Sequence, residues 1–381
     1  MKRAILALAA AVGLASAGSD RVDEIHPRTP GTPLEILFTP WRCTRCVEEG
    51  ILPAEEEKPI SMLRMPVDEL IKKLQVEGKW IAIQTPHFKI LSTLHGEKVK
   101  PSDSVFYWSD FERLKAIFPK ITAGLQGTVL DPHERAHLYH VRMERLYAHF
   151  AALTAIAKPH LGMGAAYELY LFEKYADHHS LVDQFIGKSN DKAGVQHHDR
   201  GDPNFMMFTH AAQQVPGGDR QLNNTIFHNV AHNLADGAGN YYRETPAWLE
   251  EGLAHYYERR EATSPNTFCW TEGKAPTMFQ KPDWKSTILN IVRRGKDAPL
   301  GQWCEKLQPG ELSGEEQGLS WSIVEWMIAT DPIRFAKIFD RIDDTVEKPT
   351  ASQCIEYAFG VTPNVLHARW QEYVRTEYAK K

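Results

Sequence analysis

The chain has 381 residues, 43% of them apolar and 24% charged, so it can bury a large core without a repeat or disulfide scaffold. Its formal charge is −5 and it has no basic cluster, which argues against nucleic acid as a partner. Five cysteines (Cys43, Cys46, Cys269, Cys304, Cys354) permit at most two disulfides, and their spacing reveals no connectivity.

Residues 1–17, MKRAILALAAAVGLASA, join basic Lys2 and Arg3 to an apolar run and end on Ala15-Ser16-Ala17, the pattern of a cleaved signal peptide. The run is too short to span a bilayer, which takes about 20 residues. No cysteine follows the cleavage point before Cys43, so a lipid anchor is not expected. The mature chain should start at Gly18 and be periplasmic or secreted, without stable membrane insertion. Losing Lys2 and Arg3 takes its formal charge from −5 to about −7.

Residues 18–60 are rich in Pro and Glu and read as irregular structure around Cys43-Thr44-Arg45-Cys46. That C-x-x-C could be a redox pair, half of a zinc knuckle or a local disulfide, with a structural disulfide or inert thiols as the default. A short helix is expected over Val67–Leu74, then strands over Trp80–Gln84 and Phe88–Ser92, broken at Pro86. Pro132 to Ile156 carries Tyr139, Met143, Leu146, Phe150 and Leu153 at steps of three and four, one face of a long amphipathic helix. Tyr167–Phe172 and Asn204–Thr209 read as strands, and from about Leu222 the chain is mostly helical. Sheet elements early and helices late argue for an α+β fold.

The long helix opens on a literal HExxH, His133-Glu134-Arg135-Ala136-His137, with His140 and Glu144 continuing the stripe. The charge of Arg135, the position in the first turn after Pro132, and the absence of a following Glu-Gly helix make this stripe a solvated flank rather than a site.

A second pair of histidines, His228 and His232 in HNVAH, also lies one helical turn apart, so both imidazoles can reach one ion. Gly237 and Gly239 should end that helix, and Thr245-Pro246 should cap the next, AWLEEGLAHYYERR. Eighteen residues separate His232 from Glu251. This spacing, with the acid in a W-L-x-E-G-x-A-x-Y setting, resembles the gluzincin metallopeptidases, the group of thermolysin-like and aminopeptidase N-like enzymes. GLSWSIVEWMI and YAFGVTPNVLHARWQEYV resemble, more loosely, the helical tail of exported bacterial gluzincin-like domains.

The resemblance implies a zincin-like domain with an N-terminal mixed sheet, an active-site helix pair and a helical C-terminal lobe. The chain would divide into the leader 1–17, an N-terminal region 18–75, the zincin-like part 76–270 and the lobe 271–381. Zn²⁺ would be held by His228, His232 and Glu251, with a fourth position open to water. His255, one turn beyond Glu251, would orient a ligand or lie exposed on the helix; Tyr256 and Tyr257 read as packing. The departure from the family is Asn229, which stands where its glutamate takes a proton from metal-bound water. Three functions follow: a zinc-binding peptidase-like protein with impaired hydrolysis, a non-catalytic module that holds a peptide or protein, and an active hydrolase using Glu250 or Glu244 as base.

Overall fold

A computed structural model describes residues 42–52, 59–100, 110–111, 113–115, 117–119, 121, 129–156, 166–186, 194–199, 206–213, 218–238, 245–264, 266–268, 277–344 and 346–380. The leader with its cleavage site, Gly239, Glu244 and Cys269 lie outside these residues.

The centre is a six-stranded mixed sheet, β1 (Arg42–Cys43), β4 (Ile81–Gln84), β5 (Phe88–Ser92), β8 (Tyr167–Phe172), β10 (Met206–Ala212) and β9 (Gly194–Asp199), in that spatial order. Strand β1 is antiparallel to β4 and β4 to β5, whereas β5, β8 and β10 run parallel, with Phe88 opposite Tyr167 and Phe208 opposite Glu168. Strand β9 closes one edge antiparallel to β10. Two short pairs, β2 (Ser61–Met62) with β3 (Met65–Pro66) and β6 (Glu97–Lys98) with β7 (Val129–Leu130), stand apart. Of the 18–60 stretch expected to be irregular, Arg42 and Cys43 form a strand of the main sheet and Thr44–Glu48 form helix α1.

Alternation along the strands explains the layers. Ile81, Ile83, Phe88, Ile90, Leu169, Leu171 and Ala211 face one core, while Ala82, Leu91, Tyr170, Phe172 and Ala212 face another. The second face is covered by α2 (Val67–Leu74) and α4 (Tyr175–Leu181). The first is covered by α3 (Pro132–Thr154) and α5 (Gly218–Ala238). A sheet buried on both faces needs near-continuous apolar strands, as YELYLF shows.

Helix α6 (Ala247–Glu261) packs between α5 and α8 (Gly314–Thr330). Gly252 permits this, because a Cβ there would stand 2.5 Å from Val324 Cγ2 and 2.7 Å from the Ser320 carbonyl oxygen. The start of α6 differs from expectation: Pro246 is the N-cap, and the Thr245 hydroxyl donates to the Ala235 carbonyl at 3.1 Å, tying α6 to the end of α5. Helix α5 runs through Gly237 to Ala238. Helices α7 (Trp284–Arg293), α9 (Pro332–Ile342), α10 (Ala351–Phe359) and α11 (Pro363–Glu377) complete the chain. The α+β class is as expected. One hydrophobic cluster joins described residues on both sides of residue 270, from Cys43 to Tyr378. Among the described residues, no helix is long and apolar enough to cross a membrane.

Candidate metal centres

Helix α5 presents His228 and His232 one turn apart, and α6 brings Glu251 against them. The two Nε2 atoms are 3.1 Å apart, and Glu251 Oε1 is 3.7 Å from His232 Nε2. All three side chains are buried, and one donor atom from each lies within 4.8 Å of the others. A tetrahedral zinc bound to nitrogen and carboxylate oxygen at about 2.0–2.2 Å separates its ligands by about 3.4 Å. The residues fit such an ion.

The outer nitrogens are held as well. His232 Nδ1 donates to Glu250 Oε1 at 2.6 Å, and His228 Nδ1 faces Glu258 Oε2 at 3.4 Å. Carboxylates in these positions fix the ring orientation and make the inward nitrogen a better donor to a metal. Burial pushes the Glu258 carboxyl up, but its hydrogen bonds with His228 and His255 outweigh this and hold it below the ordinary carboxylate range.

His255 is fully buried, which removes its reading as an exposed helix histidine. Its Nδ1 is 3.1 Å from Glu258 Oε2 and its Nε2 3.9 Å from Glu251 Oε2, while its ring meets Trp284 edge to face at 5.0 Å between centroids. With His228 and Glu258 it forms an overlapping set of possible ligands. Sequence reasoning did not give Glu250 and Glu258 these roles. A signal was available for Glu258, since Glu251, His255 and Glu258 at i, i+4 and i+7 share one helix face.

Asn229 is buried on α5 beside His228, and its side-chain Nδ2 donates back to the Thr225 carbonyl at 2.7 Å. Tyr256 and Tyr257 pack as expected: the Tyr256 hydroxyl accepts from Arg260 at 2.6 Å, and the Tyr257 hydroxyl meets His149 Nδ1 at 2.9 Å.

The HExxH stripe is not solvated. His133, His137, His140 and Glu144 are all buried; Cys43 of β1 and Cys46 of α1 stand against His133 and His137 where open solvent was expected. Glu144 accepts from the His87 backbone N–H at 3.0 Å and faces His87 Nδ1 at 2.6 Å. Arg135 is buried too, paired with Asp219 at the start of α5 at 2.8 Å. Glu134 is spent on a capping box with Asp131, accepting from its backbone N–H at 2.9 Å while Glu134 N–H donates to Asp131 Oδ1 at 2.8 Å.

Opposite the two imidazoles lie Cys43 and Cys46, which are free thiols and not the expected disulfide. Nor do they stand alone, because Cys43, Cys46, His133 and His137 converge within 4.8 Å. The hydrogen bond from Cys46 holds the Cys43 thiol far below its ordinary range despite burial, and the same bond raises Cys46. Cys304 and Cys354 are also free thiols. The described residues thus contain two separate buried centres whose side chains could hold a metal ion.

Comparison of the chain with protein families, with curated proteins and with solved structures finds no match.

Proposed function

We propose that this chain is an exported zinc-binding protein of gluzincin type whose peptide hydrolysis is impaired or lost. The observation that carries the reading is the convergence of His228 Nε2, His232 Nε2 and Glu251, with the outer nitrogens backed by Glu250 and Glu258. The mixed sheet, the α5–α6 pair and the helices after it agree with a zincin-like arrangement. The leader-like residues 1–17 support export to the periplasm or the medium.

Zinc, when bound by His228, His232 and Glu251, supplies a Lewis acid that acidifies a water or polarises a carbonyl. What the chain must add for peptide cleavage is a group that takes a proton and returns it to the leaving nitrogen. Asn229 has no titratable group, and its amide donates to the Thr225 carbonyl. Glu250, the one of the two alternative bases among the described residues, is committed to His232 Nδ1 at 2.6 Å, which disfavours an active hydrolase using it as base. The ligand is accordingly a peptide or protein that is held rather than cut.

Metal analysis with a peptidase assay tests this reading. The wild-type protein should carry zinc that His232→Ala loses, and should cleave general peptide substrates little or not at all. Asn229→Glu should keep the zinc and raise cleavage by up to about 10² to 10⁴. Robust wild-type cleavage that survives Asn229→Ala, or zinc unchanged in His232→Ala, rejects the reading.

A further inference from the structure

The cluster at the head of α3 lies outside the site just described. Cys43 ends β1 and Cys46 lies in α1, while His133 and His137 are one turn apart at the start of α3. Cys43 Sγ to His133 Nε2, Cys46 Sγ to His133 Nε2 and Cys46 Sγ to His137 Nε2 are each 3.3 Å. A tetrahedral zinc with sulfur at about 2.3 Å and nitrogen at about 2.0–2.1 Å places its sulfur and nitrogen ligands about 3.5 Å apart. Three edges of that tetrahedron are therefore already present, to within a few tenths of an ångström.

We propose that Cys43, Cys46, His133 and His137 form a closed structural site for a thiophilic divalent metal, zinc foremost, which fastens β1 and α1 to the head of α3. Hydrogen bonding alone accounts poorly for the arrangement. His133 Nε2 faces two sulfurs at the same 3.3 Å, and one ring nitrogen has only a single N–H or a single lone pair to offer them. An ion among the four donors satisfies all of them at once.

The surroundings suit a metal. His133 Nδ1 is 3.2 Å from Glu49 Oε2 and His137 Nδ1 is 3.1 Å from His140 Nδ1, so each ring has an outer partner that turns Nε2 toward the sulfurs. With Nε2 of His137 coordinating, its Nδ1 carries the hydrogen and donates to His140. Phe118 stands edge-on to both rings, with centroids 5.0 and 5.1 Å away, and covers the cluster with an apolar surface. Two sulfurs and two imidazoles select zinc over magnesium or calcium. Four protein ligands leave no open position for water, so the site holds structure and does not hydrolyse. Both sulfurs bind as thiolates, and any thiol proton still held passes to solvent as the metal takes its place.

The two halves of the site are far apart in sequence, with 87 residues between the positions of Cys46 and His133. Closing so long a loop with a metal links the N-terminal strand to the core as a disulfide would.

The test loads the exported protein with zinc, or with cobalt(II) as a spectroscopic probe. The wild type should bind two equivalents of zinc and, with cobalt, show a thiolate-to-metal charge-transfer band. His232→Ala should keep that band and one equivalent. Cys43→Ser/Cys46→Ser should lose the band and one equivalent, and His137→Cys should retain metal with a stronger band, a result that does not depend on the serine variant folding. One equivalent in the wild type that persists in His232→Ala but not in the serine variant supports this site while removing the one at His228. Two results overturn the proposal: folded cobalt-loaded protein without a charge-transfer band, or a Cys43–Cys46 disulfide in peptides from the exported protein.

Discussion

Glu250 and Glu251 are adjacent in sequence, yet they grip one imidazole from opposite ends. Consecutive helical side chains diverge by about 100°, so Glu251 reaches toward His232 Nε2 at 3.7 Å while Glu250 takes Nδ1 at 2.6 Å. In sequence, Glu250 reads as an acid suited to the positive end of a helix, or as an alternative base; its partner is on another helix, and no spacing rule points to it. Glu250→Gln keeps the shape and weakens the hold on the ring. Zinc affinity at the His228–His232–Glu251 centre should fall by about 10- to 100-fold with little change in melting temperature, measured by competition with a chromophoric chelator. Unchanged affinity with a loss of peptidase activity would instead make Glu250 the base.

At the scale of elements, the α6–α8 crossing depends on Gly252. Alanine is favoured over glycine inside a helix by about 1 kcal/mol, but here its methyl would meet the Ser320 carbonyl at 2.7 Å, and backbone cannot turn aside as a side chain can. Overpacking of this kind costs about 1–3 kcal/mol, so Gly252→Ala should lower stability in denaturant melts. Helix α3 shows what the sequence conceals. Its apolar face was legible from period alone, and so were its start near Pro132 and its end near Ile156. The stripe of His133, His137, His140 and Glu144 read as a solvated flank, whereas all four are buried, and so are Arg142 and Arg145 on the same helix. Their partners, Cys43, Cys46 and Asp110, are distant in sequence, and pattern reasoning within a window does not see them. Asp110 shows the consequence. Burial pushes its carboxyl up, but Arg145 and Arg142, at 3.1 and 2.9 Å, outweigh that and hold it below the ordinary carboxylate range. A carboxyl held low in the folded state stabilises fully above its unfolded value of about 3.9, and that contribution is lost as pH falls through the folded value. Asp110→Asn should cost about 3–5 kcal/mol at pH 7 and make stability less steeply dependent on pH below about 4. Urea melts over a pH series read both effects.

Over the whole molecule, the candidate site and the C-terminal helices form one packed body. His255 lies against Trp284, Arg259 stacks over Trp284 at 4.0 Å and Trp321 at 4.8 Å, and Gly252 receives Val324. The α5–α6 pair was legible because its spacing survives translation into two adjacent helices, while its dependence on residues beyond 270 was not, since composition shows no change there. Trp284, Trp303, Trp321, Leu319 and Val324 belong to the same cluster as His228's neighbours Phe227, Val230 and Ala231. Fully burying one such side chain is worth about 1.5–3 kcal/mol, and a natural domain is stable by only about 5–15 kcal/mol. Baring this face should therefore exceed what the rest of the chain can bear. A chain ending at residue 270 should fail to fold, exposing its apolar surface to a hydrophobic dye and losing the zinc held by His228, His232 and Glu251. The intact protein should unfold in a single thermal transition whose midpoint falls on chelation. Two resolved transitions, or a soluble 18–270 fragment that keeps its zinc, would make the C-terminal helices an independent domain.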